Sequence, residues 1–284
     1  MKRLLFFCMV LLSVFSLHAT RRALVIGIGD YPEESGCKKI NGDKDIPLVM
    51  EILATNGFEE QNIVTLQNHE ATCAAILQGL ENMITMAQAG DYLYIHFSGH
   101  GQQITDLDGD EDDHKDEAWL PYDAQATYVE DKYEGQNHII DDQLNRYLHR
   151  MREKVGETGK ILVVADACHS GSGSRDLDDD DTLVVRGVFT DFVISKFKKP
   201  KQASAVNYPI EWTFVSACKS YQSNYEYQGK GSLTYALYQE KDNFSILSTD
   251  EMEESVKKCI RDILPVTQTP LVEFTKGANS EKFF

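Results

Sequence analysis

Two reactive side chains, His100 and Cys168, each follow a short apolar run and stand among small residues. His100 lies in Ser-Gly-His-Gly after the run DYLYIHF at 91–97, and Cys168 lies in Ala-Cys-His-Ser-Gly after the run KILVVAD at 160–166. A thiol is a strong nucleophile when backbone N–H groups and a nearby imidazole stabilise its thiolate. These residues predict a nucleophile at Cys168 and a general acid and base at His100.

The predicted roles of Cys168 and His100 each have an alternative. A buried structural thiol is the commoner role of a cysteine, but the glycine-rich polar segment after Cys168 argues against that role. His169 is a rival base next to the thiol. Because side chains of neighbouring residues diverge, direct contact between His169 and Cys168 is not expected.

The elements around these residues follow a repeated pattern of strands and helices. Strands are predicted at 22–28, 63–66, 91–97, 160–166, 210–217 and 271–274, and helices at 43–56, 71–88, 141–154, 232–240 and 249–263. This alternation predicts an α/β fold with a mostly parallel sheet. The ligand crevice of such a sheet lies at the carboxyl ends of its strands, so His100 and Cys168 are expected at one edge.

The first 19 residues have the layout of a secretory signal peptide. Lys2 and Arg3 form a basic start, the apolar run 4–17 follows, and small Ala19 precedes Thr20. The sequence therefore predicts a signal peptide at 1–19, export to the periplasm or beyond the cell, and a single domain at 20–284. No other stretch reaches the roughly 18 apolar residues that a membrane helix needs, so no membrane span is expected.

The charge balance narrows the class of partners. The sequence has 45 acidic residues against 28 Lys and Arg, a formal net charge of −17. Such a field repels nucleic acid and attracts cations and basic peptides, so no nucleic-acid partner is expected. Beyond the predicted signal peptide, five scattered cysteines do not form the pattern of a disulfide framework.

The segments YIHFSGHGQQ at 94–103 and VVADACHSGS at 163–172 resemble the two signature blocks of metacaspases and their bacterial caspase-like relatives. The resemblance extends from Arg22 to Asp176 and is weak in the last third of the chain. It implies a caspase-like fold, in which a mostly parallel sheet is flanked by helices on both faces in three α/β/α layers. It also implies a cysteine endopeptidase, a hydrolase that acts on peptides or proteins.

The resemblance implies a mechanism and a preferred substrate. Cys168 attacks the scissile carbonyl, His100 transfers the protons, and the backbone N–H groups of Gly101 and Cys168 form the oxyanion hole. Asp166 matches a family aspartate that binds a basic residue before the cleaved bond, the P1 residue. A second pocket aspartate corresponds to Asp43 or Asp45, which the sequence leaves open. Asp43 could instead be a helix N-cap.

The resemblance also suggests calcium as an activating cofactor. The matching ligand positions are Asp116, Asp141, Asp142 and Asp176. Asp141 and Asp142 are equally suited to the first turn of a helix, where the helix dipole favours anions. That purely structural role stays an alternative to metal binding.

Activation by self-cleavage is a further property that the resemblance suggests. Candidate cleavage sites are Arg175, Arg186 and the basic run 196–201. Two other functions stay open: an exported peptidase of the clostripain or gingipain type, and a catalytically silent protein whose acidic loops bind calcium or a partner. The presence of both His100 and Cys168 argues against the silent protein.

Overall fold

The computed structural model describes residues 19–106, 109, 111, 114–168, 183–194, 211–274 and 282–284. Its strands are β1 (Arg21–Gly27), β2 (Ile63–Gln67), β3 (Tyr92–Ser98), β4 (Gly101–Thr105), β5 (Lys115–Trp119), β6 (Ile139–Ile140), β7 (Lys160–Asp166), β8 (Thr213–Ser216), β9 (Glu226–Tyr227), β10 (Lys230–Gly231) and β11 (Leu271–Glu273). Its α-helices are α1 (Ile46–Thr55), α2 (Cys73–Met86), α3 (Asp141–Val155), α4 (Ser232–Gln239) and α5 (Thr249–Ile263). The predicted signal peptide lies outside the described residues except for Ala19.

The central sheet has six strands in the order β11-β8-β7-β3-β1-β2. Five of them are parallel, and β11 pairs antiparallel with β8 at one edge. Parallel strands need crossover connections, which the helices between them supply. The prediction of a mostly parallel α/β sheet is confirmed.

The central strands alternate their side chains between two hydrophobic cores. In β1, Leu24 and Ile26 pack in the core that holds the apolar residues of α2 and α3. Ala23 and Val25 belong to the opposite core, with the apolar residues of α1, α4 and α5. This period of two buries both faces of the sheet, so the fold has the expected three α/β/α layers.

Helix α1 begins later than the sequence predicts. The expected helix at 43–56 is a 3₁₀ turn at Gly42–Asp45 followed by α1 from Ile46. Pro47 occupies the first turn of α1, where its missing N–H leaves no helical hydrogen bond unmade. The turn buries both Asp43 and Asp45.

Two small antiparallel sheets were not predicted. Strands β4, β5 and β6 form one of them, and β9 and β10 form the other. Each of these strands has two to five residues, which is too short for a clear alternation of apolar and polar positions. Among the described helices, none has the length and apolar character needed to cross a bilayer.

Candidate active site

The ends of β3 and β7 bring His100 and Cys168 to the same edge of the sheet. These strands are neighbours, and Ser98 is in register with Asp166. Gly99 N–H donates to the Asp166 carbonyl oxygen at 3.4 Å, so the chains still run together beyond the strands. His100 and Cys168 each lie two residues past this register pair, and both are almost fully buried.

The imidazole of His100 is held in one tautomer. Its Nε2 lies 2.7 Å from the carbonyl oxygen of Lys38. Because a carbonyl can only accept, Nε2 carries the proton and Nδ1 is the free base. Nδ1 is buried and has no hydrogen-bond partner among the described residues. Burial lowers the pKa of His100 to about 4, so this nitrogen is unprotonated at neutral pH.

Tyr31 supports the backbone of His100. The His100 N–H donates to the Tyr31 hydroxyl at 2.9 Å, and that hydroxyl donates to the Leu120 carbonyl oxygen at 2.9 Å. The two rings also pack together, with their centroids 5.0 Å apart. Tyr31 and the Lys38 carbonyl were not predicted, since their contacts with His100 span more than 60 positions of sequence.

A second thiol lies beside Cys168. The Sγ atoms of Cys168 and Cys218 lie 2.9 Å and 3.2 Å from the carbonyl oxygen of Gln222. A hydrogen bond with Cys168, followed by burial, raises the pKa of Cys218 well above its ordinary value. Cys218 is therefore a protonated neighbour of Cys168 at neutral pH, which the sequence pattern did not indicate.

Three carboxylates surround the guanidinium of Arg186, which is completely buried. Arg186 Nη1 lies 2.5 Å from Asp45 Oδ2 and 3.6 Å from Asp166 Oδ1. Arg186 Nε donates to Glu226 Oε1 at 3.1 Å. Two of these acids are predicted pocket residues, and they face an arginine that belongs to the chain itself.

The carboxylate of Asp166 is held by neighbouring polar groups. Its Oδ1 accepts from Asn224 Nδ2 at 2.7 Å, and its Oδ2 accepts from the N–H of Thr234 at 2.7 Å and from the Thr234 hydroxyl at 2.6 Å. These bonds satisfy a charge that burial would otherwise make costly. Gly231 closes this side of the pocket, since a Cβ there would lie 2.1 Å from Asp166 Oδ2 and 2.5 Å from Arg186 Nη1.

Asp45 and Asp43 have separate environments. Asp45 accepts from the Ser98 hydroxyl at 2.8 Å and from the Gly231 N–H at 3.0 Å, in addition to Arg186. Asp43 instead pairs with Lys44 Nζ at 2.7 Å. Of the two candidates left open by the sequence, Asp45 forms an ion pair with Arg186, whereas Asp43 forms one with Lys44.

The backbone of Arg186 lies across Cys168. The N–H of Cys168 donates to the Arg186 carbonyl oxygen at 2.7 Å. On the other side, Arg186 N–H donates to the Asn224 carbonyl oxygen at 2.9 Å, and Glu226 N–H donates to the Val184 carbonyl oxygen at 2.9 Å. Val185 and Tyr225 thus form an antiparallel bridge, and this kind of backbone pairing is a common way to bind an extended peptide.

After Arg186, the chain runs past Gly101, the other residue predicted to contribute to the oxyanion hole. Gly187 forms a parallel bridge with Gly101, and Val188 N–H donates to the Gly101 carbonyl oxygen at 3.0 Å. A Cβ at Gly187 would lie 3.1 Å from the Cβ of Cys168. The bond between Arg186 and Gly187 therefore lies beside the backbone of Cys168, next to the Gly101 strand end.

Three of the four predicted calcium ligands lie within the described residues. Asp141 and Asp142 begin α3, and the Asp142 N–H donates to Asp141 Oδ1 at 3.0 Å. Asp116 lies on β5 and is buried, whereas Asp176 lies outside the described residues. Within the described part of the chain, no three Asp, Glu, His or Cys side chains are grouped to hold a metal ion. The described residues alone do not make a complete site.

A cysteine and a histidine at the carboxyl ends of neighbouring strands in a three-layer sheet define the caspase-like class of cysteine peptidases. Within that class, the model of the metacaspase peptidase C14 domain matches residues 21–177, and the chain belongs to this family. The family is one of cysteine-type peptidases, which are hydrolases. The match contains both His100 and Cys168.

Curated relatives and a solved structure agree with this assignment. Metacaspase-1 of Eremothecium gossypii is 34% identical over 161 residues, which cover 54% of this chain and 32% of that protein. Metacaspase-1A of Aspergillus niger is 34% identical over 162 residues, which cover 54% of this chain and 36% of that protein. The matches thus span about a third of these relatives. A Geobacter sulfurreducens crystal structure, 22% identical with a TM-score of 0.63, covers 93% of this chain and 97% of its own and supports the fold.

Proposed function

We propose that the chain is a cysteine endopeptidase that cleaves peptide bonds after Arg or Lys. The position of Arg186 carries this proposal. Its cationic side chain fills a pocket lined by Asp45 and Asp166, while its carbonyl oxygen accepts from the Cys168 N–H at 2.7 Å. A bound peptide with a basic P1 residue would place its P1 side chain against Asp45 and Asp166 and its P1 carbonyl oxygen at the Cys168 N–H.

The proposed reaction uses the groups already around this carbonyl. Cys168 Sγ attacks the carbonyl carbon of the P1 residue, and its proton passes to Nδ1 of His100. The Cys168 N–H stabilises the oxyanion, with Gly101 as the second proposed donor. The C–N bond then breaks, and the imidazolium returns the proton to the leaving amine. Water hydrolyses the thioester and releases the enzyme.

The same geometry supports self-cleavage between Arg186 and Gly187. Residues 184–186 occupy the substrate strand, and this bond lies beside the proposed nucleophile. While Arg186 fills the pocket, no other basic side chain can enter it. We therefore propose that cleavage after Arg186 opens the pocket to substrates in trans. The other candidates, Arg175 and 196–201, lie outside the described residues.

Calcium stimulation and export rest on sequence evidence. We propose that calcium binds through Asp116, Asp141, Asp142 and Asp176, as in the family pattern, and that it supplies a positive charge that orders the acidic segments. Binding has a readout apart from activity: calcium should raise the Tm of the full chain, and Asp142→Asn should reduce that shift.

The N-terminal segment supports export to the periplasm or outside the cell.

Paired fluorogenic peptides with Arg, Lys or Asp at P1 test the proposed activity. The protein without residues 1–19 and its Cys168→Ala variant are assayed with calcium and with chelator, while intact mass follows self-cleavage. Cleavage after Arg or Lys that vanishes in Cys168→Ala is the expected result. Preference for Asp would overturn the proposed pocket. No cleavage under any condition, together with an unreactive Cys168 thiol, would favour the silent binding protein.

A further inference from the structure

Glu226 is a third acid in the pocket, and neither the sequence pattern nor the resemblance indicated it. Its carboxylate is buried and accepts from Arg186 Nε at 3.1 Å. Asp45 and Asp166 approach the other end of the same guanidinium, at Nη1. The pocket therefore contacts an arginine at two chemically different positions.

The Nε contact separates arginine from lysine. The fourth side-chain atom beyond Cα is an N–H donor in arginine, but it is a methylene in lysine. A lysine in this pocket could still direct its ammonium toward Asp45 and Asp166. It would, however, place a CH₂ group against Glu226 Oε1, and a buried carboxylate that loses a donor pays a desolvation penalty. Pockets built around a specific donor reject analogues that lack it.

Groups other than Arg186 also hold the Glu226 carboxylate in position. Its Oε1 accepts from the Asn41 N–H at 2.7 Å, and its Oε2 accepts from Asn41 Nδ2 at 2.6 Å. Its own N–H donates to the Val184 carbonyl oxygen at 2.9 Å. One residue of β9 thus binds the substrate strand through its backbone and the P1 side chain through its carboxylate. Such preorganisation removes the entropy cost of ordering the acceptor.

We infer that Glu226 is a specificity-determining residue that makes the pocket prefer Arg over Lys at P1. This inference rests on the proposed function, because Arg186 stands in for the P1 residue of a substrate. Asn41 is a positioning residue that acts through Glu226. Asp45 and Asp166 provide the general preference for a positive charge, and Glu226 adds the discrimination between the two basic side chains.

The test compares kcat/KM for matched peptides with Arg or Lys at P1 in the wild type and in Glu226→Gln. Glutamine keeps the size of the side chain but loses the negative charge. We expect the Arg to Lys ratio to fall roughly 10-fold, mainly through the Arg substrate, since hydrogen bonds to charged groups contribute more than neutral ones. Asn41→Ala should lower the ratio in the same direction. The exposed Glu51→Gln on α1 serves as the matched control and should leave the ratio unchanged.

The outcomes separate this inference from the proposed function. If the wild type cleaves Arg peptides and Glu226→Gln keeps the same Arg to Lys ratio, the role of Glu226 is overturned while the peptidase stands. If the wild type cleaves neither peptide, the proposed function fails and the inference fails with it. A fall in kcat/KM that is equal for both peptides would show a structural role for Glu226 and would also overturn the inference.

Discussion

The N–H of Cys168 lies 2.7 Å from the carbonyl oxygen of Arg186, a residue 18 positions further along the chain. The backbone of Cys168 therefore contacts the carbonyl of the same residue whose side chain fills the acidic pocket. This single contact links the thiol, the pocket and the segment after Cys168. It makes the chain its own first substrate in the proposed mechanism.

Arg186→Gln should abolish cleavage between residues 186 and 187. The uncharged side chain loses its ion pairs with Asp45 and Glu226 and leaves buried acids without their cation, which should also lower the free energy of unfolding by roughly 3–5 kcal/mol. Intact mass after incubation measures the cleavage, and chemical denaturation measures the stability.

Two further variants make this prediction decisive. Arg186→Lys keeps the charge, so it should still be cleaved but more slowly, and the exposed Arg261→Gln should be cleaved like the wild type. Cleavage of Arg186→Gln after residue 186 at the wild-type rate would contradict the assignment of this bond.

Tyr31→Phe should lower kcat by about 10-fold with little change in KM, because misplacement of a catalytic group by a fraction of an ångström slows the reaction without changing the pocket. The variant removes the hydroxyl that accepts from the His100 N–H. A buried donor without an acceptor should also cost roughly 1–3 kcal/mol of stability. Steady-state kinetics measures kcat and KM separately. The control is Tyr238→Phe, which removes a hydroxyl that donates to exposed Glu51. An unchanged kcat would argue against a positioning role.

Gly231→Ala should lower kcat/KM for Arg peptides at least about 100-fold, because the new methyl group overlaps the carboxylate of Asp166 and the space of the P1 side chain. Gly57→Ala is the matched control. A Cβ at Gly57 meets no atom within 4 Å, but its φ of +74° makes alanine strained, so this variant should lose stability and keep its kinetics. Equal activity losses in the two variants would refute the pocket assignment.

Three buried histidines should make the fold sensitive to acid. Burial lowers the pKa of His96, His100 and His138 from 6.5 to about 4. Between pH 4 and pH 6.5, the histidines of the unfolded chain therefore bind more protons than those of the native state. Stability is fully present above pH 6.5 and is lost as the pH falls toward 4, by up to about 3 kcal/mol per histidine.

His138→Gln tests this pH dependence. Glutamine can keep the hydrogen bonds to Tyr133 and Gln102 but does not titrate. The free energy of unfolding should therefore fall less between pH 6.5 and pH 4 in this variant than in the wild type. The exposed His69→Gln should retain the wild-type slope. Parallel slopes for all three proteins would show that His138 does not contribute.

Local sequence patterns were enough to predict the central sheet and the positions of His100 and Cys168 at its edge. The apolar runs before His100 and Cys168 alternate between two cores, so each run has to be a buried strand, and the glycine-containing segments after them have to be turns at the carboxyl edge. The same runs end at Asp166, which made its place near Cys168 predictable. Strands β4, β5 and β6 escaped prediction because their few residues show no period.

The sequence by itself determined the layered α/β fold and the placement of His100 and Cys168 at one sheet edge, since both follow from side-chain periodicity over a few residues. Only the tertiary structure showed that Asp45, and not Asp43, pairs with Arg186, because a 3₁₀ turn sets the directions of the two side chains. It also brought Arg186 to Asp45 across 141 positions and to Glu226 across 40. Contacts of this kind depend on how distant segments pack, and no local pattern encodes them.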